Sequence, residues 1–370
     1  MKEGWTYKKL GEVANVIHGK NQKDVLSEDG QYPIYGSGGT VMGYATDYLC
    51  EAGTTILGRK GSINNPKFIE ERFWNVDTAF GITPKDDNCS KYIYYFITSI
   101  DWLSKNTGTT LPSLTQQVVK DVYIPIPLPS KQQSIVDYLD SAFAKIDAMK
   151  ANAENALNEA KALFQASLKE MLEPKEGWVT STLKDECFKI TDGTHQTPKY
   201  FDSGYIFLSS KNVTSRKIDW ENVKFIDESQ HQIMHKRVAP QVGDILLAKN
   251  GTTGVAAMVD RDVIFDIYVS LALLRTKGNV TPEYLLTFVN SPIAKEQFDK
   301  RLIGMGVPNL HLGEINKVVI TYPIDKGEQA KVTEKIEELD NKIIRLQENF
   351  DKIFQECDAL KQAILRQVFE

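Results

Sequence analysis

The chain has 370 residues, enough for two domains with cores of their own. It carries 44 Lys and Arg against 49 Asp and Glu, a net charge of −5, which excludes a protein that grips nucleic acid through bulk positive charge alone. No apolar run approaches the roughly 18–20 residues that cross a bilayer, and the first ten residues lack an apolar signal core. The four cysteines, Cys50, Cys89, Cys187 and Cys357, lie far apart with no C-x-x-C pair. Reduced thiols in a cytoplasm are expected, not a disulfide framework or zinc knuckle.

From the N-terminus, Lys2-Glu-Gly-Trp5 leads to Leu10, Val16 and Gly19. A strand is predicted over 54–57 inside Gly53-Thr-Thr-Ile-Leu-Gly-Arg-Lys-Gly61, and a helix over 90–99. Then come Gly108-Thr-Thr-Leu-Pro-Ser-Leu114, a strand over 124–127 ending at proline, and a long helix opening near Gln133. Its stripe is Val136, Leu139, Phe143, Ile146, Met149, Ala153, Leu157, Ala160, Phe164 and Leu168, and Pro174 with Gly177 stops it.

The order then repeats. Lys175-Glu-Gly-Trp178 leads to Leu183, Ile190 and Gly193, and Gly243-Asp-Ile-Leu-Leu-Ala-Lys-Asn-Gly251 matches the central strand. Strands are predicted over 244–248, 256–259 and 271–275, and a helix over 282–290. Gly304-Met-Gly-Val-Pro-Asn-Leu310, a strand over 320–323 and Gln329 complete the echo. Five landmarks in one order mark a duplication. The second half is longer by about 23 residues, expected before its central glycines.

In the last helix Ile336, Ile343, Phe350, Cys357 and Ile364 recur every seven residues, with Leu339, Leu346, Ile353 and Leu360 three places after the first four. That is a coiled-coil seam. Each long helix spans about 60 Å at 1.5 Å per residue. Such a stripe needs cover, so the two are expected to pair antiparallel within the chain, with a domain at each end of a rod. The alternatives are folding back on each helix's own domain, or pairing between chains.

No phosphate loop, nucleophile elbow, H-E-x-x-H helix or Asn/Asp-Pro-Pro-Tyr/Phe tetrapeptide is present. His231 and His235, four apart, could share a helix face as ligands, but surface placement is the plainer expectation. Binding is favoured over catalysis.

The doubled set of landmarks resembles the specificity subunit of type I restriction-modification systems across essentially the whole chain. The resemblance rests on the G-W-x-x-x-x-L openings, the Gly-x(3)-Pro-x-Leu segments and the I-P-I-P-L-P and Y-P-I strand ends. Tyr32-Pro-Ile-Tyr-Gly-Ser-Gly-Gly39 and Asp192-Gly-Thr-His-Gln-Thr-Pro198 add to it. The stretch from Tyr322 to Gln329 departs from it by lacking a proline-rich ending.

The resemblance implies an α+β fold with two similar target-recognition domains separated by two long antiparallel coiled-coil helices, a pseudo-twofold internal repeat. The domains are expected at 1–130 and 174–325 and the helices at 131–173 and 326–370. It further implies that each domain reads half of a split double-stranded DNA target while the helices set the gap. Two modification subunits would bring S-adenosylmethionine and methylate adenine, and restriction subunits would bring ATP and Mg. No cofactor or catalysis is expected in this chain. A coiled-coil scaffold with protein-binding ends, or an enzyme with an unfamiliar site, are the competing readings.

Candidate DNA contacts are polar residues near glycine turns. In the first half these are Tyr35, Ser37, Arg59, Lys60, Ser62, Thr109, Thr110 and Ser113. In the second they are Thr194, His195, Thr197, Lys211, Asn212, Lys249, Asn250, Thr252, Asn309 and His311. Arg59 and Asn250 suit guanine and adenine edges, and Lys60 and Lys249 are read as equivalents. Ordinary turn geometry is the plainer explanation for any one of them.

Overall fold

Alternating apolar residues and glycine turns build the first half as a set of small sheets. A computed structural model describes residues 4–302 and 309–370; Lys2 and Glu3 of the first landmark, and Gly304 to Pro308 of a later one, lie outside them. The chain divides into two compact units, 1–154 with 350–370 and 155–349.

In unit 1, β1 (Thr6–Lys9), α1 (Leu10–Val13), β2 (Ala14–His18), β3 (Tyr32–Tyr35), β4 (Val41–Ala45) and β5 (Thr54–Gly58) come first. They are followed by β6 (Lys67–Ile69), β7 (Trp74–Asn75), β8 (Ala79–Pro84), α2 (Ser90–Ser99), α3 (Gln116–Lys120), β9 (Tyr123–Ile126) and α4 (Pro129–Leu172). The central sheet runs β2-β8-β5-β6, all antiparallel. A second sheet, β4-β3-β7, pairs β3 antiparallel with β4 and parallel with β7. β1 pairs with β9 beside the start of α4. Every residue of β5 is buried, as a central strand with both faces covered requires. The main core joins Leu57, Phe80, Tyr92, Ile93 and Trp102 to Val136 and Leu139 of α4.

Unit 2 begins with β10 (Trp178–Thr182), α5 (Leu183–Glu186), β11 (Cys187–Asp192), β12 (Tyr205–Leu208), β13 (Lys224–Ile226), α6 (Glu228–Arg237) and β14 (Ile245–Ala248). Then follow β15 (Ala256–Met258), β16 (Phe265–Ile267), β17 (Leu271–Thr276), α7 (Pro282–Val289), α8 (Pro292–Asp299), α9 (Leu312–Ile315), β18 (Val319–Pro323) and α10 (Lys326–Phe369). Its sheets, β11-β17-β14-β15, β13-β12-β16 and β10-β18, repeat those of unit 1 strand for strand. The mixed sheet is again antiparallel on one side of its middle strand and parallel on the other. The duplication read in the sequence is therefore a duplication of topology.

Two details of the repeat are corrected. The extra chain of unit 2 is not all placed before the central glycines. Much of it is the β12–β13 connection and α6, but some, including α8, follows them. The glutamine equivalent to Gln329 is Gln132, not Gln133. Gln132 accepts from Cys89 N and donates to the Pro127 carbonyl, while Gln329 accepts from Thr281 N and donates to the Pro323 carbonyl. Both are buried, each tying the start of α2 or α7 to the start of a long helix.

The two long helices run antiparallel within each unit. In unit 1, Lys150 meets Asp358 and Asp147 meets Lys361, both at 2.5 Å; in unit 2, Lys161 donates to Gln347 at 2.6 Å. The heptad reading fails at one place. Leu360, expected in the seam, is 46% exposed, while Leu365 and Phe369 are buried. The last turns of α10 instead turn their apolar side to α2, where the Phe369 ring meets Tyr92 and Phe96 edge-on. Met149 is likewise exposed. In unit 2 Phe164, Leu168 and Leu172 of α4 and Ile336 of α10 enter the domain core. Pairing and docking onto a domain thus coexist, where the sequence offered them as alternatives.

Candidate nucleic-acid interface

The site in unit 1 is built by three loops that glycine draws together. β5 turns sharply after Gly58, where a Cβ would fall 2.2 Å from the Ser62 carbonyl oxygen, and Gly61 has φ +79°. The turn then pairs with the segment before α3. Lys60 bridges Ser113, Gly61 N donates to the Pro112 carbonyl, and Leu114 N donates to the Arg59 carbonyl. Asn106 Oδ1 accepts from Gly108 N and Ser113 N, closing a loop whose tip exposes Thr109 and Thr110. A Cβ on Gly38 would lie 3.6 Å from Ser62 Oγ, which places the Ser37 loop beside the same turn.

Seven of the eight candidates of the first half therefore converge. Tyr35 does not join them. Its hydroxyl donates to Glu71 at 3.1 Å, and its ring packs edge-on against Phe73 in a different groove.

Unit 2 repeats this frame. Asn250 bridges Asn309, Gly251 has φ +79°, and Leu310 N donates to the Lys249 carbonyl. The register corrects one equivalence: Arg59 corresponds to Lys249 and Lys60 to Asn250, so Lys60 and Lys249 are not counterparts. Thr194 bridges Tyr268, and Thr197 Oγ1 lies 3.2 Å from the Tyr268 hydroxyl. Ser270 carries Ser210 N on its hydroxyl and Lys249 N on its carbonyl, which holds the Lys211 turn against the same strand end. Lys211, Thr252 and His311 are exposed. Asn212 is buried, and its amide donates to the Asp219 and Asn222 carbonyls.

The electrostatic centre of unit 2 is Asp192, 3% exposed. Lys249 Nζ reaches its Oδ2 at 2.7 Å, while Arg237 and His195 reach Oδ1 at 2.7 and 3.2 Å. Burial alone would push this carboxyl up. The hydrogen bonds and charge of Lys249 and His195 outweigh it and hold the group below the usual carboxylate range. Lys249 is buried with its ammonium engaged, whereas Arg237 and His195 keep half or more of their side chains in solvent.

Unit 1 resolves the same position differently. Gly19 and Gly193 each abut a carbonyl, Val76 and Ile267, at 1.8 Å from a Cβ, so His18 occupies the place of Asp192. Burial, then the charges of Arg59 and Lys120, push the His18 imidazole below its ordinary value. Arg59 donates to the Asp77 carbonyl at 2.9 Å and forms no ion pair among the described residues. Its charge is open to a ligand, while that of Lys249 is neutralised internally.

Sequence reasoning missed His18, Asp192 as an organiser, and Arg237. Aligning the halves on Gly19 and Gly193 would have set His18 against Asp192. Arg237 lies on a helix without counterpart in the first half, so no internal comparison could find it.

Residues 2–159 and 175–352 both match the model of the type I restriction modification DNA specificity domain. The chain belongs to this family. The specificity-domain matches fall one on each copy of the repeat.

Among relatives, the chain is similar to the type I restriction enzyme MjaVIII specificity subunit of Methanocaldococcus jannaschii, at 22% identity over 92% of this chain and 87% of that one. It is similar also to the EcoBI specificity subunit of Escherichia coli, at 19% identity over 99% and 86%. Solved structures share the fold. One chain, from work on complex assembly and conformational transition of the type I R-M system, superposes with TM-score 0.76 at 16% identity over 99% of this chain and 98% of that one. The HsdS subunit from Thermoanaerobacter tengcongensis gives 0.58 at 16% identity over 100% and 97%.

Proposed function

We propose that this specificity-family chain reads a split double-stranded DNA target, one half with each unit. The observation that carries the proposal is the doubled convergence of polar loops on one strand end, built on one frame but furnished differently. One frame with two sets of side chains suits two different half-sites.

In unit 1 Arg59, Lys60, Ser62, Thr109, Thr110, Ser113 and Ser37 supply donors. In unit 2 Asn250, Thr252, Thr194, His195, Thr197, Lys211, Asn309, His311 and Arg237 do so. Lys249 and Asn212 hold the loops in place rather than touching DNA. Domains at 1–130 and 174–325 carry these surfaces, and the helix pair fixes the gap between half-sites. The partners are two modification subunits, which bring S-adenosylmethionine to adenine, and restriction subunits with ATP and Mg. Chemistry resides in them and not in this chain. Partner-supplied phosphate contacts reconcile DNA binding with the net charge of −5.

The test maps methylated adenines genome-wide in cells expressing the chain with its modification subunit, against a deletion control. Two short blocks with a fixed gap, lost on deletion, are expected. Their absence with both proteins expressed overturns the reading.

Arg59→Ala is expected to weaken cognate DNA binding by the assembled complex by about 1–3 kcal/mol, roughly 10- to 100-fold, in gel-shift titrations at fixed salt. A base-reading Arg59 relaxes one position of the first half-site when it is lost. A phosphate-binding one lowers affinity for all sequences alike and reduces the salt slope. Unchanged affinity removes Arg59 from the interface.

A further inference from the structure

The helix α6 belongs to unit 2 alone, and it carries a cluster that the DNA-reading role does not use. His231 and His235 stand one turn apart on one face of α6 and look onto Asp266, the middle residue of β16. His231 Nδ1 lies 2.7 Å from Asp266 Oδ2, and His235 Nδ1 lies 3.4 Å from Oδ1. One ligand atom from each of the three can be chosen with all within 4.8 Å of one another. His231 was expected at the surface; it is buried, its ring stacked at 3.8 Å on Tyr205.

Hydrogen bonding alone does not satisfy this cluster. Asp266 is 1% exposed, yet its Oδ1 has no hydrogen-bond partner among the described residues, and neither has the buried Nδ1 of His235. Unit 1 avoids the problem at the equivalent place. There Trp74, which pairs with Ile34 of β3 as Asp266 pairs with Phe207 of β12, carries no charge, and its indole N–H donates to the Lys20 carbonyl. A buried carboxylate facing two imidazoles, in place of a satisfied indole, calls for a cation.

We propose that His231, His235 and Asp266 bind a single divalent ion of the zinc class, pinning α6 to the sheet of unit 2. Two imidazole nitrogens and one carboxylate oxygen suit Zn²⁺, and also Co²⁺ or Ni²⁺, better than the all-oxygen shells of Mg²⁺ or Ca²⁺. Bonds of about 2.0–2.2 Å in a tetrahedral site place ligand atoms roughly 3.4 Å apart, the present separation of His235 and Asp266. His231 and Asp266, now 2.7 Å apart, need to open by about 0.7 Å. The His235 side chain is 31% exposed, leaving a fourth position to water. The last turn of α6 ends in Arg237, which reaches Asp192, so the ion would steady the helix that delivers that cation.

The full chain, stripped with chelator and dialysed, is titrated with Zn²⁺ by calorimetry and with Co²⁺ by visible absorption. One equivalent of Zn²⁺, a tetrahedral Co²⁺ spectrum and a raised melting temperature are expected. His235→Ala and Asp266→Asn, the latter removing the charge at nearly unchanged size, are expected to lose that equivalent while keeping the circular dichroism of the parent. If the parent binds no ion, or both folded variants bind as it does, the cluster is only a hydrogen-bonded ion group and the proposal fails. Neither readout depends on DNA, so this outcome is separate from the fate of the proposed function.

Discussion

Replacing Lys249 by alanine is expected to destabilise unit 2 by about 3 kcal/mol, seen as a lower urea midpoint for part of the unfolding signal. Lys249 and Asp192 are buried to 5% and 3% exposure, and their contact is 2.7 Å. Removing one partner leaves a desolvated carboxylate that Coulomb attraction no longer offsets. Arg237 and His195 still hold its other oxygen, which keeps the loss near the lower end of the 3–5 kcal/mol typical of such breaks. The double variant Asp192→Asn with Lys249→Met is expected to recover most of it, because no buried charge is left unpaired.

The folded-state pKa of Asp192 is depressed, so its stabilisation is fully present above the unfolded carboxylate value and is lost as pH falls through the folded one. The gap between the parent and Asp192→Asn therefore shrinks below about pH 4. A Lys249→Ala loss under about 1 kcal/mol, the size of a surface pair, shows that the contact anchors nothing. The double variant also separates two roles. Restored stability with restored DNA binding makes Lys249 a support; restored stability without binding makes it a contact.

Exchanging residues 177–323 for the same segment of a relative is expected to change one half-site and leave the other half-site and the gap intact. Each unit has cores of its own, so the exchanged surface does not draw on the side chains of unit 1. Each mismatched base pair costs about 1–3 kcal/mol, so a changed half-site of a few base pairs abolishes recognition of the original target. The fold dictates where to cut. A junction at Leu310 would separate β10 from β18, five residue pairs of one antiparallel ladder, whereas a junction after Pro323 moves both strands together. Phe164, Leu168, Leu172 and Ile336 pack on the transferred core, so the donor must present matching apolar residues to them. Methylation mapping reads the result. A change in both half-sites, or in neither, overturns the assignment of one reader to each unit.

Much of the fold was legible because duplication supplies its own alignment. The central strands, the helices at 90–99 and 282–290 and the two long helices follow from apolar periodicity and from glycine and proline at turns. These are local properties of the chain. The ends of the seam were not legible. A heptad pattern names the residues that are able to pair, and only the fold shows that Phe369 finds Tyr92 and Phe96 instead.

The amino-acid sequence by itself determined that there are two copies of one α+β unit, each followed by a long helix, and where polar loops recur. Only the tertiary structure decided which polar residues are free to meet a ligand. Arg59 and Lys249 occupy one position of the frame, yet His18 leaves the first charge open and Asp192 neutralises the second. That difference comes from a residue about 40 to 60 positions away, brought near by strand pairing. The same holds for Asp266 and the two histidines of α6. Charge compensation acts through space, and neither spacing nor composition records it.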